Sequence, residues 1–233
     1  MLPRLLRPAK SLRTTLEVER KFLPTLESLA GLRANTGERP FVNHRPLGLS
    51  TYHDIYYDRA GELMKRGIYV RLRNGDWEAK VRSGGDFLNS QFTEYNKREE
   101  IEEILRSVSA SIGQSLRLHP FDLSVVANFV TKRESWDLDG FRVVVDETDF
   151  GHNVGEVELC QVFDVNTIHA LSVSGQGLAT AGRKMDHKIN TFMNKYRWAF
   201  PTSEGGQVMG KLSAYMLLVE KPWTGRKGES GHG

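Results

Sequence analysis

The sequence has little cysteine, no long apolar segment and no clustered histidines. Its 233 residues include a single cysteine, Cys160, which excludes an internal disulfide framework and a zinc site built from cysteines. The seven histidines are scattered without the spacing of a metal-binding motif. No uncharged apolar run approaches the roughly 18 residues needed to cross a bilayer. We therefore expect a globular protein of a reducing compartment, cytoplasmic and without membrane contact.

The excess of positive charge is small and lies at the N-terminus. The chain has 32 Lys and Arg against 29 Asp and Glu, and residues 1–16 hold four basic side chains and no acidic one. Nonspecific binding of nucleic acid is therefore not expected of the folded body. We predict a disordered basic leader at 1–13, one domain at 14–220 and a disordered, Gly-rich tail at 221–233. The leader also has the composition of a mitochondrial presequence, which leaves that location as an alternative.

Between the two ends the apolar residues recur mainly with a period of two, which is typical of β-strands. We predict strands at 14–22, 50–58, 68–73, 77–82, 128–138, 140–150, 154–163 and 211–220. Helical periodicity covers 24–33, 98–112 and 183–200, and a long loop is expected at 34–49. Asn74-Gly75 and Asp139-Gly140 are hairpin turn signals. Strands in hairpin succession favour an antiparallel sheet.

The polar faces of these strands carry charges of one sign in groups. Glu17, Glu19 and Lys21 share one face of their strand, because successive side chains point to opposite sides. Such faces usually meet water. However, eight strands are the number at which a closed barrel has room for a small ligand, and grouped acids and bases suit an interior better than a surface. The expected fold is mainly β (α+β), an eight-stranded antiparallel closed barrel with flanking helices.

If the charged faces turn inward, they form an acidic and a basic region. The acidic region would consist of Glu17, Glu19, Asp146, Glu156 and Glu158. The basic region would consist of Lys21, Arg71, Arg73, Lys80, Arg133 and Lys211. Grouped carboxylates favour a hard divalent cation, Mg²⁺ or Mn²⁺, while Arg and Lys together hold phosphate. This many cations suit a polyanion such as a triphosphate, which carries about four negative charges at neutral pH.

These residues also carry a resemblance to a known family. Residues 17–21 match the ExExK pattern of the CYTH, or triphosphate tunnel metalloenzyme, superfamily. Further blocks in register are 54–58, 69–73, 77–80, 93–95, 129–133, 146–151 and 154–158. In order and spacing the chain is most similar to the eukaryotic thiamine-triphosphatase branch, over roughly residues 14–220. The resemblance implies an eight-stranded β-tunnel that hydrolyses a terminal phosphoanhydride with Mg²⁺.

The resemblance also implies roles for individual residues. Metal would be held by Glu17, Glu19, Asp146, Glu156 and Glu158, and phosphates by Arg71, Arg73, Lys80, Arg133 and Lys211. By general phosphoryl-transfer chemistry, a second metal ion or a carboxylate such as Glu19 would orient and deprotonate the attacking water, and Lys21 would be placed to contact the terminal phosphoryl group. Tyr95 is a further candidate for positioning. Lys188 gives a rival alignment to Lys211, and Glu99 is the acid expected after Tyr95.

The identity of the substrate stays open at this point. Tyr69 occupies the position before the paired arginines where thiamine-selective members have Trp, so inorganic tripolyphosphate and nucleoside or RNA 5′-triphosphates are alternatives to thiamine triphosphate. A cyclase of the same superfamily is another alternative, as is a module that binds polyphosphate without turnover. A small-molecule triphosphate is the expected partner, and we expect a monomer.

Overall fold

Eight antiparallel strands and five helices make up the described part of the chain. The computed structural model describes residues 13–86, 88–111, 123–164, 177–202 and 208–220. The strands are β1 (Arg13–Phe22), β2 (His44–Asp58), β3 (Ile68–Arg73), β4 (Asp76–Gly85), β5 (Asn89–Tyr95), β6 (Ser124–Leu138), β7 (Phe141–Thr148) and β8 (Asn153–Asp164). The helices are α1 (Leu26–Ala34), α2 (Glu62–Lys65), α3 (Arg98–Ser111), α4 (Gly177–Lys195) and α5 (Lys211–Glu220).

The strands close into a barrel, as the sequence predicts. Their order around the ring is β1-β5-β4-β3-β2-β6-β7-β8, and β8 pairs with β1 to complete it. Two hairpin turns lie where the sequence places them. Asn74 and Gly75 have φ of 51° and 95°, and Asp139 and Gly140 have φ of 50° and 90°. Positive φ at both central positions is the geometry that Asn-Gly and Asp-Gly favour between paired strands.

The apolar faces of the strands point outward and are covered by helices. Helix α4 lays Ile189, Phe192 and Met193 over the outer face of β1, β7 and β8, where Val18 and Val157 are fully buried. Helix α3 covers β3 and β4 in the same way. Burying these faces under helices supplies the main favourable free energy of folding and leaves the charged faces to line the inside. The inward orientation of the charged faces is thereby confirmed.

One predicted strand is wrong, because residues 211–220 form helix α5. Leu212, Ala214, Met216 and Leu218 alternate with other residues as in a strand, but Leu, Ala and Met are also strong helix formers. The β1–β8 ladder already closes the barrel, so no edge is left for a further strand to pair with. Lys211 therefore begins a helix instead of a strand.

The strand that the sequence did not predict is β5. Its polar and apolar faces are reversed relative to those of the other strands. Phe92 faces the inside of the barrel, while polar Gln91 is buried on the outside, where its side chain approaches Gly182 of α4. Other bounds also differ from prediction. Strand β2 begins at His44, inside the expected loop at 34–49. Helix α4 overlaps the expected helix at 183–200, but its first and last residues, Gly177 and Lys195, both come earlier in the chain.

The predicted leader and tail fall almost entirely outside the described residues. Only Arg13, which starts β1, belongs to the described range. Among the described helices, none has the length and apolarity to span a membrane.

Candidate functional site

The barrel encloses a cavity of about 360 Å³ that is lined mainly by charged side chains. Most of the lining residues on a given strand share one parity, because alternate side chains of a closed barrel point inward. Of the predicted site residues, the cavity wall includes Glu17, Glu19, Lys21, Tyr69, Arg71, Arg73, Lys80, Tyr95, Arg133, Glu156, Glu158 and Lys211. The structure thus brings together twelve of the thirteen predicted residues on the wall itself.

Acids and bases occupy opposite sides of the ring. The acidic wall consists of Glu17, Glu19, Glu156 and Glu158 on the adjacent strands β1 and β8. The basic wall consists of Arg71, Arg73, Lys80 and Arg82 on the adjacent strands β3 and β4. Register explains the acidic grouping, since Glu19 lies beside Glu158 in the β1–β8 ladder.

Lysines connect the acidic wall to the rest of the cavity. Lys21 Nζ lies 2.5 Å from Glu19 Oε1 and 3.8 Å from Glu156 Oε1. Lys80 reaches from the basic wall to bind Glu17, and its Nζ lies 3.2 Å from Glu94 Oε1. Because these ammonium groups stand between carboxylates, they reduce the repulsion that the acidic wall would otherwise suffer.

Two arginines are held by buried aspartates. Arg133 donates from Nε and Nη2 to the two carboxylate oxygens of Asp146, both at 2.7 Å. Lys211 also donates to Asp146, which is fully buried behind these two cations and is the one predicted site residue that does not line the cavity. Arg73 binds Asp54 with the same bidentate geometry. Such paired contacts fix the plane of each guanidinium.

The ionisation of the site follows from burial and from these pairs. Burial, with further repulsion from Glu17 and Glu156, raises the pKa of Glu158 to about 8. Burial also raises the pKa of Glu17 in spite of its contact with Lys80. Burial opposes ionisation of Asp146, but Lys211 and Arg133 outweigh it and hold the pKa of that carboxyl below its usual value. The carboxyls of Glu17 and Glu158 are therefore costly to ionise with only the cations of the protein beside them.

The donor chemistry of the acidic wall fits a hard divalent cation. Carboxylate oxygens are the ligands that Mg²⁺ and Mn²⁺ prefer. A cation among them would favour the ionised form of Glu158, whose pKa burial and neighbouring acids raise. In the described part of the chain, one group of three residues has potential metal-ligand atoms that all lie within 4.8 Å of one another. These residues are Glu17, Glu94 and Cys160.

Several residues of the cavity were not predicted from the sequence. They are Thr15, Tyr56, Glu78, Arg82, Ser90, Phe92, Glu94, Lys97, Glu100 and Ser213. The parity of β4 relative to Lys80 could have indicated Glu78 and Arg82, whereas those on β5 required that strand to be recognised. Helix α3 presents Glu100 to the cavity and leaves Glu99 exposed. Of the two rival lysines, Lys188 is exposed on α4, outside the barrel, and Lys211 lines the cavity.

Aromatic side chains lie beside the charged groups. The Tyr69 ring meets Phe92 edge-on, with centroids 5.8 Å apart. The Phe92 ring in turn lies 5.5 Å from Lys80 Nζ and 5.0 Å from Arg82 Cζ. Tyr95 follows at the end of β5, where burial and Glu100 raise the pKa of its hydroxyl. The cavity can therefore offer apolar ring faces and a phosphate-binding surface to one ligand.

Comparison with known proteins agrees with this architecture. The model of the CYTH domain family matches residues 15–165. The thiamine-triphosphatase of Homo sapiens is 33% identical over 165 residues, which is 61% of this chain and 67% of the human protein. That of Macaca fascicularis is 32% identical over 162 residues, with the same coverage.

Solved structures with the same fold are more distant in sequence. A protein from Pyrococcus horikoshii OT3 aligns with a TM-score of 0.52 at 16% identity, covering 88% of this chain and 99% of that one. A Hippeastrum protein described as having a dominant triphosphatase activity aligns with a TM-score of 0.50 at 15% identity, covering 88% and 95%. The closed barrel with its charged interior and the match over residues 15–165 lead to one conclusion: the chain belongs to the CYTH domain family, and within it is similar to the thiamine-triphosphatases.

Proposed function

We propose that this protein is a metal-dependent hydrolase that cleaves the terminal phosphoanhydride of thiamine triphosphate to give thiamine diphosphate and phosphate. The observation that carries the proposal is the opposition of an acidic and a basic wall across one cavity of about 360 Å³. A surface for anions alone would gain from losing the carboxylates, so the acids favour turnover over simple binding. Similarity to the human thiamine-triphosphatase supports the choice of substrate.

The carboxylates Glu17, Glu19, Glu156 and Glu158 would hold Mg²⁺, with Mn²⁺ as a possible substitute, and Asp146 would support them from behind. The ion would supply charge neutralisation for the phosphate chain and acidity for the attacking water. Glu19, 6% exposed, would orient that water and accept its proton.

The cations would bind the phosphate chain. Arg71, Arg73, Lys80, Arg133 and Lys211 surround the cavity and would neutralise charge that builds on the leaving diphosphate. Lys21, which is 5% exposed and bound to Glu19, would contact the terminal phosphoryl group. Tyr95 would orient this end through its hydroxyl, and Tyr69 would contact the organic end.

Phosphate release from a panel of triphosphates tests the proposal. The panel contains thiamine triphosphate, inorganic tripolyphosphate, ATP and an RNA 5′-triphosphate, each with Mg²⁺, with Mn²⁺ and with a chelator. We expect release from thiamine triphosphate that depends on the metal. Release that persists in the chelator contradicts the metal dependence, and cyclic nucleotide formed from ATP indicates a cyclase instead. Tight binding without any release indicates a binding module.

A further inference from the structure

The N-terminal end of α5 forms one side of the cavity. Gly210, Lys211, Leu212 and Ser213 all line it, and a Cβ placed on Gly210 would lie 3.1 Å from Lys21 Cε. The position of this short stretch therefore decides whether Lys211 Nζ reaches the interior.

Helix α5 has few attachments to the barrel along the rest of its length. Leu217, Leu218 and Val219 are 46%, 53% and 63% exposed, so its last turns bury little apolar surface. Tyr215 packs against Phe129 and Phe150, with ring centroids 5.5 Å and 5.4 Å apart. A helix of this length is marginal by itself and depends on such contacts.

His152 holds the residues that lead into α5. Its Nε2 lies 2.9 Å from the carbonyl oxygen of Met209, two residues before Lys211. Because a carbonyl oxygen only accepts, Nε2 must carry the hydrogen of this bond. The His152 ring is parallel to that of Phe150, with an interplanar angle of 3° and 6.2 Å between centroids. One turn therefore supplies the contact of Phe150 with Tyr215 in α5 and the contact of His152 with Met209 just before it.

The turn that carries His152 is itself well fixed. The Thr148 hydroxyl donates to the His152 carbonyl at 2.9 Å and accepts from the His152 amide at 2.9 Å. Gly151, with φ of +86°, completes the turn. Thr148 follows Asp146 on β7, so one short segment provides both the carboxylate that binds Lys211 and the ring that holds Met209.

We propose that His152 is a positioning residue for Lys211: its Nε2–H holds the Met209 carbonyl and thereby keeps the first turn of α5, with Lys211, on the cavity wall. The proposal rests on the proposed function for the role of Lys211 toward phosphate. It does not require His152 to touch the substrate.

The test compares His152→Ala with His152→Gln, which retains an N–H donor of similar reach. His187→Ala, at an exposed position of α4, is the control. We expect about five- to ten-fold weaker binding of inorganic tripolyphosphate to His152→Ala by calorimetry without Mg²⁺, the scale of one hydrogen bond. We also expect faster hydrogen exchange at residues 210–214. Gln should largely restore both. If Gln is as damaging as Ala, ring packing is the cause and the proposal is wrong.

A double-variant cycle with Lys211→Ala tests the route of the effect. If His152 acts through Lys211, adding His152→Ala to Lys211→Ala should weaken tripolyphosphate binding no further. An undiminished second loss overturns the proposal. Failure of the proposed function can be told apart from failure of the positioning role. If the wild-type protein neither binds nor cleaves any triphosphate, hydrogen exchange still measures the effect of His152 on α5. Unchanged exchange in His152→Ala then overturns the positioning role.

Discussion

The two walls of the cavity balance their charge in different ways. On the basic wall two arginines pair with acids of neighbouring strands, since Arg71 binds Glu78 and Arg73 binds Asp54. On the acidic wall the carboxylates lie beside one another and depend on cations from elsewhere, such as Lys80 and Arg133. The basic wall is therefore preorganised, whereas carboxylates of the acidic wall are costly to ionise until a bound cation offsets their charge.

The largest expected effect comes from breaking the acidic wall. Glu17→Gln should lower Mg²⁺-dependent phosphate release by at least about 100-fold, since removal of residues that merely support metal ligands already costs 10–100-fold. The fold should persist, because the substitution removes a repelling charge. Glu103→Gln, at a side chain of α3 that is 76% exposed, is the matched control. Unchanged turnover in Glu17→Gln would exclude Glu17 from the site.

Breaking the basic wall should weaken binding of every triphosphate alike. Arg71→Ala removes a charged contact with the common phosphate chain, which should weaken the binding free energy by about 2–5 kcal/mol. The measurement is the Kd of the variant for thiamine triphosphate and for tripolyphosphate. Arg45→Ala, at an exposed pair with Asp137, is the control. A loss confined to one substrate contradicts a role for Arg71 toward the phosphate chain.

Arg73→Ala sharpens the comparison, because it should also lower the free energy of unfolding. Asp54 is 0% exposed and would lose its bidentate partner. A buried charge left without its partner costs about 3–5 kcal/mol. Chemical denaturation of Arg73→Ala beside Arg71→Ala measures the difference, and equal stability of the two variants would contradict this account.

A smaller effect is expected in the pH dependence of stability. The pKa of Glu158 is raised to about 8 from an ordinary value of 4.5, so the folded protein favours the protonated carboxyl. Its contribution to stability is complete below pH 4.5 and is lost as the pH rises to about 8. Without metal, Glu158→Gln should therefore match the wild type in Tm near pH 5 and exceed it near pH 8.5. Each kcal/mol of stability recovered by removing the buried charge raises Tm by roughly 2–4 °C. Parallel Tm curves would contradict the raised pKa.

The smallest effect concerns Tyr69, which lines the cavity together with both arginines of β3. Its ring can stack on a thiamine cation with less area than tryptophan, a difference of about 0.5–1 kcal/mol. Tyr69→Trp should raise, and Tyr69→Ala lower, the kcat/KM ratio of thiamine triphosphate to tripolyphosphate by a few-fold. Equal losses on both substrates in Tyr69→Ala would indicate a packing role instead.

Much of the fold could be predicted because the pattern of each strand is independent of its neighbours. Seven strands and both hairpin turns follow from alternation and from Asn74-Gly75 and Asp139-Gly140. Residues 211–220 could not be assigned correctly, since Leu, Ala and Met suit helix and strand alike and only the closed β1–β8 ladder excludes a strand. β5 was missed because Gln91 is buried against α4, a tertiary contact without a local signal.

The sequence could predict the site only as far as the alternation of side chains along a strand determines which residues face the cavity. Glu17, Glu19 and Lys21 share a face in any straight strand, so their grouping required no tertiary information. Parity cannot reveal which acid meets which base across the cavity, and so the contacts of Lys80 with Glu17 and of Lys211 with Asp146 were not foreseen. Glu100 was missed because its placement depends on the angle at which α3 leaves β5.

Closure of the barrel by β1 and β8 has a consequence for how the chain folds. The first strand of the described protein completes its pairing only with Asn153–Asp164, so the last ladder joins residues far apart in sequence. Non-local ladders form slowly because loop entropy is lost before the contacts are gained. During synthesis at about 5–20 residues per second, β1 would wait several seconds or more for its partner. Until then an open strand edge is exposed to other chains, which is the stage most vulnerable to aggregation.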